Sequence, residues 1–263
     1  MARARSRPLV QSVTRSLDLL EALAAPGELG LVELATRAGL QPSTAHRLLA
    51  TLTERGYTLQ SEETGRYLLG YKLLELASFV NARTTHLRAL ARPYLASVQR
   101  VTGETANLTV FEPPDVIFLD QVEGTRSVRM FTQVGLAVPA HTSASGKAIL
   151  AYQPPEVIDA LLTRGLQRLT PRTITAPDEL RKELARIRRR GYAIDNEEHE
   201  EGVSCVSAPI FDFEGAVCAA ISVSAPTQRI HSADTAELGE LIAGRAAEVS
   251  RALGFEQTGG AGP

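Results

Sequence analysis

Thr36-Arg-Ala-Gly-Leu-Gln-Pro-Ser-Thr-Ala-His-Arg-Leu-Leu-Ala-Thr-Leu-Thr-Glu-Arg-Gly-Tyr57 decides the fold of the first third of the chain. Pro42 suits the first position of a helix, where its missing N–H leaves no bond unmade. Ala45, Leu48, Leu49 and Leu52 follow at helical spacing, which predicts a helix over Pro42–Arg55 with one apolar face. Gln41 is a poor N-cap for it. Its other face carries Ser43, Thr44, His46, Arg47, Ala50 and Thr51. Upstream, Leu31, Leu34, Ala35 and Ala38 predict a helix that Gly39 stops, a position suited to left-handed backbone. A first helix has Val10, Val13, Leu17, Leu20 and Ala24 on one face and ends at Pro26-Gly27. Downstream, Tyr57–Gln60 and Arg66–Leu69 flank the polar tip Ser61–Gly65 and predict a hairpin.

Three short helices and a hairpin make a winged helix-turn-helix. In that motif the second helix of the pair enters the major groove of double-stranded DNA. Ser43 and Thr44 are short enough for close approach to phosphates and bases, and Arg47 matches a guanine edge. Arg66, just past the hairpin tip, is placed for a phosphate or the minor groove. His46 and Thr51 complete the candidate DNA-binding set. Arg3, Arg5 and Arg7 lie in a basic arm at residues 1–9 and would make binding salt-dependent. On periodicity alone, a solvated surface helix is an equal reading.

The bulk numbers neither require nor exclude nucleic acid. A formal charge of -2 over 263 residues is no basic footprint. Residues 1–80 hold nine Lys/Arg and eight Asp/Glu, so the reading rests on pattern rather than charge. The length suits two domains. No secretory apolar segment follows the basic start, and no window is apolar enough to span a membrane, so the expectation is the cytoplasm. Cys205 and Cys218, the two cysteines, are then reduced thiols.

Beyond residue 70 a linker helix is expected over 70–84 and a second helix over Leu87–Val101. Strands are expected at Thr105–Phe111, Val116–Val122, Ser127–Val134, Tyr192–Asp195, Val203–Phe211 and Ala216–Ser224. Helices are expected near 144–152, 155–163, 177–190 and 233–253. Grouped rather than alternating strands argue for an α+β fold with a mostly antiparallel sheet.

The stretch Thr36–Tyr57 resembles the helix-turn-helix of the IclR family of bacterial transcription regulators. Gly65-Arg-Tyr-Leu-Leu-Gly-Tyr-Lys-Leu-Leu74 is similar to that family's wing and the start of its linker helix. His141-Thr-Ser-Ala-Ser-Gly-Lys-Ala-Ile-Leu-Ala151 and Asp195-Asn-Glu-Glu-His-Glu-Glu-Gly-Val-Ser-Cys-Val-Ser-Ala-Pro-Ile-Phe-Asp212 resemble two stretches of its effector domain. The resemblance runs from about Val10 to Leu253. It implies a DNA-binding domain over 10–69, a linker helix over 70–85 and a GAF-like effector domain over 86–255; the Gly-rich composition predicts a disordered tail at 256–263. It also implies a homodimer or homotetramer, and a repressor of a catabolic operon controlled by a small organic acid.

Ser143-Ala144-Ser145-Gly146 opens a helix, and free N–H groups there favour a carboxylate. A simpler role is also available: Ser143 as an N-cap and Gly146 for close packing. The resemblance adds Asp195, Cys205, Ser222 and Ser224 as walls of the effector cavity. Ser222 and Ser224 face one side of a strand, where buried hydroxyls need partners from a ligand or from neighbouring backbone. Asp195 beside an anion is repulsive unless it is protonated or accepts a ligand hydroxyl. Cys205 is either a weak donor or a small buried hydrophobe.

Other signals carry less. Ser145-Gly146-Lys147 lacks the upstream glycine of a phosphate-binding loop. Glu197-Glu198-His199-Glu200-Glu201 reads as a solvated charge run rather than a metal site, and no cofactor is expected. Arg186, Arg188, Arg189 and Arg190 complement a helix C-terminus. His141, Ser143 and Asp195 lack the nucleophile elbow of a hydrolase, so an enzyme acting on a small acid is the weaker alternative. A metal or redox sensor built on Cys205, Cys218 and the acidic run is a third possibility.

Overall fold

The computed structural model describes residues 9–24, 27–130, 132–232 and 235–256. The expected basic arm with Arg3, Arg5 and Arg7, and the tail from 257 onward, lie outside the described residues. The chain divides into two compact units, Met1–Arg83 and Thr84–Pro263.

The first unit contains α1 (Gln11–Ala22), α2 (Leu31–Arg37), α3 (Pro42–Glu54) and the antiparallel hairpin β1 (Thr58–Gln60) and β2 (Tyr67–Leu69). Leu19, Leu23, Leu29, Leu34, Ala35, Ala45, Leu49 and Tyr67 form its core. Burying each large aliphatic side chain contributes about 1.5–3 kcal/mol, so this small core relies on nearly every helix pair. Leu29 exchanges backbone hydrogen bonds with Tyr67 at 3.0 and 2.8 Å, which ties the hairpin to the α1–α2 connection. Gly39 stands at φ +63° in the turn between α2 and α3, as its sequence position demands.

Helix α1 departs from expectation. Val10, Val13 and Leu17 are exposed, and the core is reached through Leu19 and Leu23 instead. The helix has two apolar stripes, and the unit's own core covers only one of them.

Helix α4 runs unbroken from Lys72 to Thr102, where two helices were expected. The polar stretch Arg83-Thr-Thr-His86 contains neither Gly nor Pro, and threonines weaken a helix by only tenths of a kcal/mol. Pro93 sits inside α4 without ending it.

The second unit is a six-stranded sheet in the order β5-β4-β3-β8-β7-β6, antiparallel at every pairing. Its strands are β3 (Thr105–Glu112), β4 (Asp115–Val122), β5 (Ala137–Pro139), β6 (Ala193–Asn196), β7 (Val203–Phe211) and β8 (Val217–Pro226). The helices are α5 (Ala144–Leu150), α6 (Pro155–Arg164), α7 (Pro177–Arg190), α8 (Thr227–Ser232) and α9 (Thr235–Ala252).

One face of the sheet offers Ala106, Leu108, Val206, Ala208, Ile210, Ala219, Ile221 and Val223. It packs on Ala91, Leu95 and Val98 of α4 and on Ile242, Ala246 and Val249 of α9. The other face lies under α5, with α6 and α7 beyond, around Val116, Ala148, Ile149, Leu180 and Ala220. Strand alternation sets which residues reach each side.

The described residues of the expected strand Ser127–Val134 form no strand. Val128 is exposed there, and both edges of β3 are already occupied by β4 and β8. Gly135 turns the chain at φ +90°, and Ala137–Pro139 takes the outer edge of β4 instead.

Candidate functional site

Helix α3 separates its faces cleanly. Ala45 and Leu49 are buried in the first unit's core, while Ser43, His46, Arg47 and Thr51 are exposed and Thr44 is half-buried. Gln41 makes no side-chain cap, as expected from its type, and Pro42 opens the helix. Thr51 Oγ1 donates back to Arg47 O at 3.3 Å, and among the described residues the side chains of Ser43, His46 and Arg47 are unengaged. Arg66 is exposed too but not free: it pairs with Glu33 of α2 at 3.3 Å, and Arg37 shares that carboxylate at 2.9 Å. Such exposed pairs are worth little and exchange readily for phosphate. The helix therefore presents a row of short hydroxyls and one unpaired guanidinium, which is the chemistry of groove reading.

The second site is a polar floor on the α5 side of the sheet. Cross-strand pairing puts Asp195 (β6), Cys205 (β7), Ser224 (β8) and Thr105 (β3) in one row. The neighbouring row holds Ser207, Ser222, Asn107 and Gln121. All four expected wall residues, Asp195, Cys205, Ser222 and Ser224, therefore share this face. Ser143–Gly146 lie above it, because Ser145 Oγ comes within 3.3 Å of Ser207 Oγ.

The opening of α5 is occupied by its own structure. Ser143 Oγ accepts from Gly146 N–H at 3.0 Å, the N-cap role. A Cβ on Gly146 would stand 2.0 Å from Ala140 O, so the glycine permits close packing of the preceding turn. Ala144 is buried beside them.

Lys147, unassigned from the sequence, is the largest fully buried side chain among the described residues, at 1% exposure. Its Nζ donates to Ile194 O at 2.7 Å and forms an ion pair with Glu198. This corrects the reading of 197–201 as a solvated run. Glu198 is buried, and the loop before α7 holds its turn, with Thr173 Oγ1 donating to Glu198 O at 2.6 Å. His199 Nδ1 lies 3.1 Å from Thr142 Oγ1, and among the described residues no group of His, Cys, Asp and Glu is arranged for a metal.

Asp195, 1% exposed, accepts the Glu198 N–H at 2.7 Å. Burial lifts its carboxyl to about 7, against the pull of Lys147. One buried ammonium faces two carboxyls that burial raises alike; Glu198 holds it directly, and Asp195 titrates close to neutrality. Burial also raises the Cys205 thiol far above its ordinary range. As a neutral S–H it donates to Ser224 Oγ at 3.1 Å. A thiol held neutral is a weak nucleophile. The face thus gathers the Ser222 and Ser224 hydroxyls, a neutral thiol and a carboxyl that titrates close to neutrality.

The C-terminal domain model of bacterial IclR transcriptional regulators matches residues 80–251, and the IclR helix-turn-helix model matches residues 12–62. The transcriptional repressor IclR of Escherichia coli is 40% identical over 250 residues, covering 93% of this chain and 90% of that protein. The acetate operon repressor of Salmonella typhimurium is also 40% identical, with the same coverage. An IclR homolog from Microbacterium hydrocarbonoxydans, solved in complex with 4-hydroxybenzoate, superposes with a TM-score of 0.76 at 30% identity, over 92% of this chain and 98% of that one. These relatives are regulators rather than enzymes, and both halves of the chain match in order. The chain belongs to the IclR family of DNA-binding transcription regulators.

Proposed function

We propose that this regulator represses a catabolic operon and is controlled by a small organic acid bound on the polar face of the second unit. Operator DNA is read by Ser43, Thr44, His46, Arg47 and Thr51, with Arg66 exchanging Glu33 for a phosphate. The effector is held by Asp195, Cys205, Ser222 and Ser224, beneath the segment Ser143, Ala144, Ser145 and Gly146. The observation that carries this reading is the alignment of those four wall residues on one buried sheet face. Burial raises the Asp195 carboxyl to about 7, which lessens the repulsion that a fully ionised carboxylate would exert on an acid. The 4-hydroxybenzoate complex of one relative and the operon named for another support an acid ligand and a metabolic target.

The protein acts in the cytoplasm as a homodimer or homotetramer. The exposed stripe Val10, Val13 and Leu17 on α1 supports self-association, because an apolar row in water is stabilised by a second copy. Among the described residues no helix is long and apolar enough to cross a membrane. For the acid to control DNA binding, it must favour one arrangement of the paired reading heads over another by its own binding energy.

The test is binding of the purified protein to its own upstream DNA and to scrambled DNA, at two salt concentrations, with and without keto, hydroxy and aromatic acids. Sequence-specific, salt-sensitive binding that one acid weakens is the expected result. Equal, weak binding to both DNAs would sink the operator reading; specific binding that every acid leaves unchanged would sink the effector reading.

A further inference from the structure

Hydrogen bonds on the polar face are not evenly satisfied. On β3, Thr105 Oγ1 donates to Met130 O at 2.6 Å and accepts the Gly124 N–H at 3.1 Å. Ser207 Oγ on β7 donates to Ile221 O at 2.8 Å. Asn107 differs. It is fully buried, at 0% exposure, and its Nδ2 donates to Ser224 Oγ at 3.2 Å, so the side chain leans toward the expected wall residues. Its Oδ1 has no partner. Gln121, directly across on β4, likewise has an unpartnered buried Oε1. Buried amide oxygens are paired in most folded proteins, so two orphans side by side mark a place where a group is missing. Both orphans are acceptors, and the missing group is therefore a donor. A plain keto acid carries acceptors alone when ionised and leaves both oxygens as they are.

Position fixes where that donor sits. Asn107 is one strand from Ser224 on β8 and two from Cys205 on β7. At about 4.8 Å per strand, a group meeting Asn107 stands roughly 5–10 Å from an acid held over β8 and β7. We propose that the effector is a hydroxy acid whose hydroxyl lies at that distance from its carboxylate, and that Asn107 accepts the hydroxyl proton while Gln121 borders the same end. Asn107 is then a specificity-determining residue of the site. The inference rests on the polar face being the effector site, and the test separates the two.

Full-length protein is titrated calorimetrically with two matched pairs, 4-hydroxybenzoate with benzoate and 4-hydroxybutanoate with butanoate, and with pyruvate and glyoxylate. In at least one pair the hydroxylated acid is expected to bind about tenfold tighter than its partner, the usual effect of satisfying one buried acceptor. Asn107→Ala and Asn107→Leu are expected to reduce that preference to less than about threefold, read as the ratio of the two affinities within each pair so that any general weakening from the lost Ser224 contact cancels. If the wild type binds both members of each pair equally, or binds only pyruvate or glyoxylate, the acid site stands and the donor proposal falls. A preference that survives in folded variants also overturns it. If none of the six acids binds, the effector reading falls together with it. Should both variants fail to fold, the matched pairs on wild type alone decide.

Discussion

Asp195→Asn tests the electrostatics of the second unit. The carboxyl titrates at an ordinary 3.8 in an unfolded chain and at about 7 when buried in the folded one. Between those values the folded state holds a proton that the unfolded state has lost. Stability from this group is therefore fully present below pH 4 and drains away as pH rises to 7. About three pH units at about 1.4 kcal/mol each set a ceiling of about 4 kcal/mol. Asparagine keeps an oxygen for the Glu198 N–H and never ionises, so the variant escapes this loss. The stability of the variant relative to wild type should rise by up to about 4 kcal/mol between pH 4 and pH 8. The two cysteines, Cys205 and Cys218, lie in β7 and β8, so pulsed thiol labelling across a urea series reports unfolding of this unit alone. That avoids treating a two-unit chain as one transition. A variant-to-wild-type difference that stays flat with pH would refute the argument. A wild type that gains on the variant as pH rises would show Asp195 ionised and paired with Lys147.

Three further outcomes follow from the same geometry. Lys147→Met strands Glu198 in the interior and should cost about 3–5 kcal/mol, whereas Lys147→Met with Glu198→Leu should recover most of it; urea midpoints decide, and a double variant as unstable as the single would contradict a buried pair. Arg47→Ala should weaken specific operator binding by about 1–3 kcal/mol, measured by fluorescence anisotropy, and an unchanged affinity removes Arg47 from base reading. Gly146→Ala places a methyl 2.0 Å from Ala140 O and 2.4 Å from its Cα, so thermal unfolding should show a loss of at least about 1–3 kcal/mol; a neutral variant would mean the turn before α5 yields freely.

Local rules carried much of this protein. Gly39, Pro42 and the Ala45–Leu48–Leu49–Leu52 spacing place α2, its turn and α3, because backbone preference and a single buried stripe act within a few residues of one another. Ser222 and Ser224 share a face for the same reason, the period of two in a strand. Periodicity failed where two answers satisfied it. Helix α1 has apolar residues on two sides, and only the packed unit shows that Leu19 and Leu23 face inward while Val13 and Leu17 face out. Ser127–Val134 alternates well enough for a strand, yet the available sheet edges were taken by other segments.

The site was half legible. Asp195 and Cys205 stood in a motif and Ser222 and Ser224 on one face of a strand, but Asn107 looked like any strand residue and Lys147 like an echo of a phosphate loop. Glu198 sat unremarked inside an acidic run. Their chemistry arises from partners 51 residues away for Lys147 and 117 for Asn107, distances that only the sheet order and the packing of α5 close. Burial then decides charge: the same aspartate that titrates near 3.8 in water titrates near 7 under α5, because desolvation outweighs one shared ammonium. Sequence alone determined most of the elements and the polar face of α3. Tertiary structure decided which polar groups are paired, which are shifted in pKa and which still lack a partner, since each depends on neighbours that no local pattern brings together.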